Sequence, residues 1–194
     1  MQEKEKISLI KLIHDSNLKL STCFSGAGFT FLNSFLSLEG ASKSLINAEI
    51  PYSEYSLTKY FGIEKPYTTK DNTKTLAKKT LAKFEDVVSE DILMSIACIG
   101  TIKTYYEKKG EERAWLYFLT SNNQEQNIFL KFNKDLSSRS QQDEMINIVI
   151  LSTIAEFIKG NYEFPIERSN EYHTIKIDSV DIVDIHTNPP NLIK

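Results

Sequence analysis

Apolar residues at Ile7, Leu9, Ile10, Leu12 and Ile13 fall on one side of a helical wheel, so residues 4–16 read as an amphipathic helix. Asp15-Ser16-Asn17 ends it. LKLSTC (18–23) alternates as a strand does and leads into the small-residue stretch Ser25-Gly26-Ala27-Gly28. FTFLNSFLS then resumes an apolar helical pattern. The reading is strand, tight turn, helix. It places Cys23 to Gly28 at the carboxyl end of a strand, where open α/β sheets carry their ligands.

Gly40-Ala41-Ser42 opens a second unit. SLINAEIPYS (44–53) reads as a strand interrupted by Pro51, and Ser53 is placed to N-cap a short helix that Gly62 closes. Thr68-Thr69 caps a longer helix over 70–84, with Leu76, Ala77, Thr80, Leu81 and Phe84 on one stripe. ILMSIACI (92–99) has the continuous apolar character of a strand covered on both faces. AWLYFLT and QNIFLKF, separated by Ser121-Asn122-Asn123, form a hairpin after a charged connection around Gly110. Residues 138–160 read as a helix stopped by Gly160 at C′. HTIKIDSVDIVDIH then alternates as one strand or two short ones, ended by Pro189-Pro190. Such a strand could pair with an exposed edge of its own domain or of a second subunit.

The succession predicts helices layered on a mixed sheet: an α/β three-layer sandwich over 1–160 with a short β extension over 161–194. A chain of 194 residues with 41% hydrophobic content can bury such a core. Its 23 basic and 26 acidic residues give a net charge of −3, which argues against a strongly basic nucleic-acid module, though a local patch fits inside a near-neutral total. No apolar run approaches the roughly 20 residues needed to span a bilayer. The amino terminus is charged first and amphipathic next, without the pattern of a secretion signal, so a cytoplasmic location is expected. Cys23 and Cys98 then read as free thiols, and two cysteines with three scattered histidines imply no metal site.

Four segments resemble, in order and spacing, the carboxy-terminal domain of the competence/damage-inducible CinA proteins, the nicotinamide mononucleotide deamidases. LKLSTCFSGAG resembles the family's ESCTGG turn. SLEGASKSLINAEIPYSEYSLTKYFGI resembles its PGAS…YSN…LLGV stretch, YTTKDNTKTLAKKTLAKF its VSxEVAxxMAxGA helix, and SIACIGTI with ERAWLYFLT its TGIAGP loop and following strand. With the helix after Arg139, the resemblance covers about residues 4–160. Gly40, Ala41, Ser42, Tyr52, Ser53 and Gly62 hold family positions. The proposed nucleophilic serine falls on Cys23, the motif's threonine on Ser25, and its two glycines on Gly26 and Ala27. The catalytic lysine position holds Leu57, with Lys59 two residues on. Of the two arginines in GDRxxxR, the first matches Arg139 and the second position holds Asp143.

The resemblance implies hydrolysis of the nicotinamide mononucleotide carboxamide to nicotinate mononucleotide and ammonia, without cofactor, in a homodimer or higher oligomer. Cys23 would be the nucleophile, with Lys59 or a distant histidine (His14, His173, His186) as base. Ser25, Gly26, Ala27, Tyr52, Ser53 and Arg139 would hold the nucleotide. A thiolate just before a helix amino terminus would have a lowered pKa, and the amides of the turn would cradle an oxyanion or phosphate. Each residue also has a structural reading. Cys23 can be a small buried residue ending a strand, Tyr52-Ser53 a strand end and N-cap, and Arg139 an exposed helix start. The alternative function is a non-catalytic nucleotide-binding or interaction protein that keeps only the fold. Phe24 separates these cases: pointing into the old site it would close it, pointing into the core it would not.

Overall fold

Successive residues of a strand point to opposite faces, and in this chain both faces are apolar, so the sheet has to be covered twice. In the computed structural model, residues 1–87, 91–134 and 137–163 are described, with only the main chain of Tyr172–His173, Lys176–Ile177 and Val180–His186. The strands are β1 (Leu18–Ser25), β2 (Leu45–Glu49), β3 (Ile92–Thr101), β4 (Glu112–Thr120) and β5 (Glu125–Phe132). They lie in the order β2-β1-β3-β4-β5. β1 is parallel to both β2 and β3, whereas β3, β4 and β5 form an antiparallel meander. The main chain of Val180–His186 pairs antiparallel with the free side of β5. The side chains of 164–194, including His173 and His186, and the Pro189-Pro190 ending lie outside the described residues.

The helices divide between the faces. α1 (Glu3–His14), α2 (Phe29–Leu36) and α5 (Arg139–Lys159) pack against Leu20, Phe24, Met94, Ile96, Cys98, Leu116, Phe118 and Leu130. α3 (Glu54–Phe61) and α4 (Lys70–Ala82) cover Cys23, Leu93, Ala97, Ile99, Tyr117 and Leu119. Even and odd residues of one strand therefore feed two separate cores. The α/β three-layer sandwich with a mixed sheet is the observed architecture. No helix of the described residues is long and apolar enough to cross a membrane.

Local chemistry sets most element ends. Ser53 caps α3 in a capping box with Ser56, Gly62 closes it at φ +62°, and Thr69 caps α4 through the Asn72 amide. Three of the boundaries that differ from expectation have a plain physical account. β2 stops at Glu49, because proline at 51 cannot donate to a ladder. β3 continues to Thr101, carried by pairing with Arg113 on β4. Gly160 has φ −79°, and Asn161 at φ +56° makes the left-handed exit instead.

The connection from β1 passes to β2 on one side, and the chain from β3 passes to β4 on the other. The carboxyl ends of β1 and β3 are thus the topological switch point of the sheet. There the backbone is tightly closed. Gly26, at φ +77°, lies so near Gly100 that a Cβ would fall on the Gly100 carbonyl oxygen, and a Cβ on Gly100 would stand 2.5 Å from the Ala27 Cβ.

Candidate functional site

The turn between β1 and α2 is built as expected and used differently. Ser25 is buried, and its hydroxyl donates to the Pro51 carbonyl at 2.9 Å, tying the end of β1 to the exit of β2. Ala27 is fully buried among Phe24, Phe31 and Cys98. Gly28 adopts φ +96° as the N-cap of α2. The free amides of that helix end point at a carboxylate of the protein itself. The Gly28 N–H donates to Asp143 Oδ1 at 2.6 Å, and the Thr30 N–H and hydroxyl both donate to Asp143 Oδ2 at 2.7 Å. A helix amino terminus favours negative charge, and Asp143, in the first turns of α5, supplies it from inside the fold.

Arg139 stands beside this cap. Its guanidinium donates to the Gly26 carbonyl and to the Lys103 carbonyl, both at 3.0 Å, and so joins the turns that follow β1 and β3. A hollow of about 520 Å³ opens here, lined by Phe29, Thr30, Ser138, Arg139, Ser140 and Asp143. Exposed Tyr52 reaches the same neighbourhood, its ring 5.9 Å from that of Phe29. Ser53 is committed to capping α3.

Cys23 and Lys59 are not brought together. Cys23 lies within β1, two residues before its end, and the alternation of the strand turns it toward α3 and α4, away from the α2 amino terminus. It is fully buried beside Leu57, Phe61 and Leu76. The expectation of a lowered thiol pKa is reversed: burial, with the Glu49 carboxylate adding to it, pushes the thiol up to about 12. Lys59 is exposed on α3, donates to the Tyr55 hydroxyl at 2.8 Å and lies over the Tyr55 and Tyr60 rings. His14 is buried, edge-on to Phe35, with Nδ1 3.2 Å from the Glu39 carbonyl. Phe24 points into the α1–α2–α5 core, so it does not itself block the turn.

Gly28 belongs to the turn the sequence singles out, whereas Asp143 and Thr30 are not among the candidate site residues. The signal was the acidic residue at the position of the family's second arginine, one helical turn after Arg139. Its partners lie 113 and 115 residues away, and no local pattern announces them.

The overall fold, with two helices on one face of the mixed sheet and three on the other in this chain, superposes on known structures. A CinA superfamily protein from Klebsiella pneumoniae superposes with a TM-score of 0.67 at 9% identity, over 82% of this chain and 99% of that one. The chain has the CinA fold. Also similar are the competence damage-inducible protein A from Klebsiella pneumoniae subsp. pneumoniae (TM-score 0.64, 10% identity, 80% of this chain and 96% of that) and a competence/damage inducible protein from Agrobacterium tumefaciens (0.61, 13%, 81% and 93%). No family model matches the sequence, and no curated protein matches it. At these identities the CinA fold is what is shared; a fold hosts many functions, and function is argued from the site.

Proposed function

We propose that this chain keeps the CinA fold without the amide-hydrolysing chemistry and acts as a non-catalytic binding protein. The observation that carries this reading is the Asp143 carboxylate on the α2 amino terminus. Those amides are the donors that an oxyanion or phosphate would need, and a resident carboxylate both occupies them and repels a second anion.

The rest of the site supports the same reading. A thiol at about 12 is protonated at neutral pH and shut inside the α3–α4 core, so it lacks both the charge and the access of a nucleophile. Leu57, at the lysine position, packs in that core, and Lys59 points to solvent. A thiol-dependent nicotinamide mononucleotide amidase remains the competing reading, and it is directly testable. Ammonia release from nicotinamide mononucleotide is measured with purified protein and with Cys23→Ala. The expected result is no release above buffer from either; turnover that disappears in Cys23→Ala would overturn the proposal.

A further inference from the structure

Next to the self-capped turn, the loops after β3 and β5 hold a chain of lysines that donate to the backbone carbonyls of these same loops. Lys103 Nζ donates to the Lys134 carbonyl at 2.6 Å, Lys134 Nζ to the Lys108 carbonyl at 2.6 Å, and Lys108 Nζ to the Ile102 carbonyl at 2.7 Å. Arg139 closes the series on the Lys103 carbonyl. The three lysines are half-buried. Among the described residues, no ion pair joins any of the four to a carboxylate.

Three described carboxylates of this end of the sheet are engaged elsewhere. Asp143 caps α2. Buried Glu112 accepts from Gln142 Nε2 at 2.6 Å, and Glu111 pairs with Lys131 and Arg113. Among the described residues, Glu107 is an exposed carboxylate on the loop that carries Lys108 and Lys109. Gln142 adds rigidity, its Oε1 accepting the Lys103 N–H at 2.8 Å. Lys108 also lines a groove of about 810 Å³ with Tyr106, Lys109 and Arg113. Like charges held this close oppose one another. Burial and the neighbouring Arg139 and Lys134 hold the Lys108 ammonium below its usual pKa, against the pull of Glu112. An array of this kind concentrates counter-anions.

We propose that Lys103, Lys108, Lys134 and Arg139 form a binding site for a phosphate- or diphosphate-bearing ligand at the carboxyl end of β3. The site lies beside the turn that Asp143 fills and does not use the α2 amides, so it stands whether or not the protein hydrolyses amides. The diphosphate could be free or part of a nucleotide. Tyr105, fully exposed, and Tyr106 present adjoining rings 5.1 Å apart on the same loop, a surface on which a base can stack.

The test is isothermal titration with inorganic pyrophosphate and, in parallel, adenosine 5′-diphosphate, at fixed ionic strength. Wild type is expected to bind pyrophosphate, with affinity falling as salt rises. The pair Lys103→Gln/Lys134→Gln is expected to weaken binding at least about tenfold, while Lys131→Gln, whose ammonium serves Glu111, stays within about twofold. Equal affinity for both probes assigns the site to free diphosphate; tighter nucleotide binding, lost in Tyr105→Ala/Tyr106→Ala, assigns it to nucleotides. If the Gln pair does not fold, Lys103→Arg/Lys134→Arg keeps the charge and must keep the affinity. Absence of binding at millimolar pyrophosphate would overturn the proposal. So would a Gln pair that loses stability but binds like wild type, because the lysines would then only clamp the loops.

Discussion

The carboxylate of Asp143 accepts the Gly28 amide at 2.6 Å, across 115 residues of chain. This contact, with its two partners on Thr30, joins the start of α5 to the start of α2 and fills the place where the fold could hold an external anion.

Removing that carboxylate leaves a half-buried helix end with donors that have lost their partner. Asp143→Ala is expected to destabilise by on the order of 3 kcal/mol, and Asp143→Asn, which keeps an acceptor oxygen, by about half of that. Urea unfolding checks both. The freed amides should also accept sulfate, so sulfate is expected to raise the melting temperature of Asp143→Ala more than that of wild type. An equal rise in the two proteins would show that the carboxylate was not holding the anion site.

The thiols should be inert in the native protein. With Cys23 at about 12, about one molecule in ten thousand carries the thiolate at pH 8, and Cys98 is pushed well above its usual value by burial. Iodoacetamide at pH 8 is expected to leave both unmodified in the folded state and to label both in urea, read by intact mass.

The backbone contact between Gly26 and Gly100 leaves no room for a methyl group. Gly100→Ala is expected to cost about 1–3 kcal/mol by overpacking against Ala27. Gly26→Ala should cost more, because it adds a strained positive φ to the collision with the Gly100 carbonyl. Chemical denaturation ranks the two.

Tyr117, Glu125 and Lys74 link β4, β5 and α4. The Tyr117 hydroxyl donates to Glu125 at 2.6 Å, and Lys74 pairs with the same carboxylate at 2.8 Å. Burial pushes Tyr117 up to about 12, helped by Glu125, so the folded state holds a phenol proton that the unfolded chain releases near 10. Its stability contribution is complete below pH 10 and is lost as the pH rises toward 12. Burial raises Glu125, but the hydrogen bonds from Lys74 and Tyr117 outweigh it and hold the carboxyl below 4.5. Its contribution is present above pH 4.5 and is lost as the pH falls through the folded value. Tyr117→Phe and Glu125→Gln are expected to flatten the alkaline and acid limbs, respectively, of a melting-temperature profile against pH.

The sandwich was legible because its grammar is local. Alternation in 18–23 and 115–132, the stripe from Leu76 to Leu81, and the caps at Ser53, Gly62 and Thr69 each act within a few residues, and the layered α/β order follows from their succession. The site was less legible. Cys23, Ser25, Gly26 and Arg139 stand near the switch point, yet which face each side chain takes depends on strand phase and on what covers it. Cys23 is one residue out of phase with Phe24, so it meets α3 and α4 while the helix amino terminus sits on the other side. The amino-acid sequence by itself determined the elements, their layering and the turn at the end of β1. Tertiary structure alone decided that the turn's amides face Asp143, that the Cys23 thiol is desolvated, and that cations of two separate loops and of α5 meet on backbone carbonyls of the loops after β3 and β5. Hydrogen bonds and desolvation act through space, and most of the residues they join here are separated by tens to more than a hundred positions.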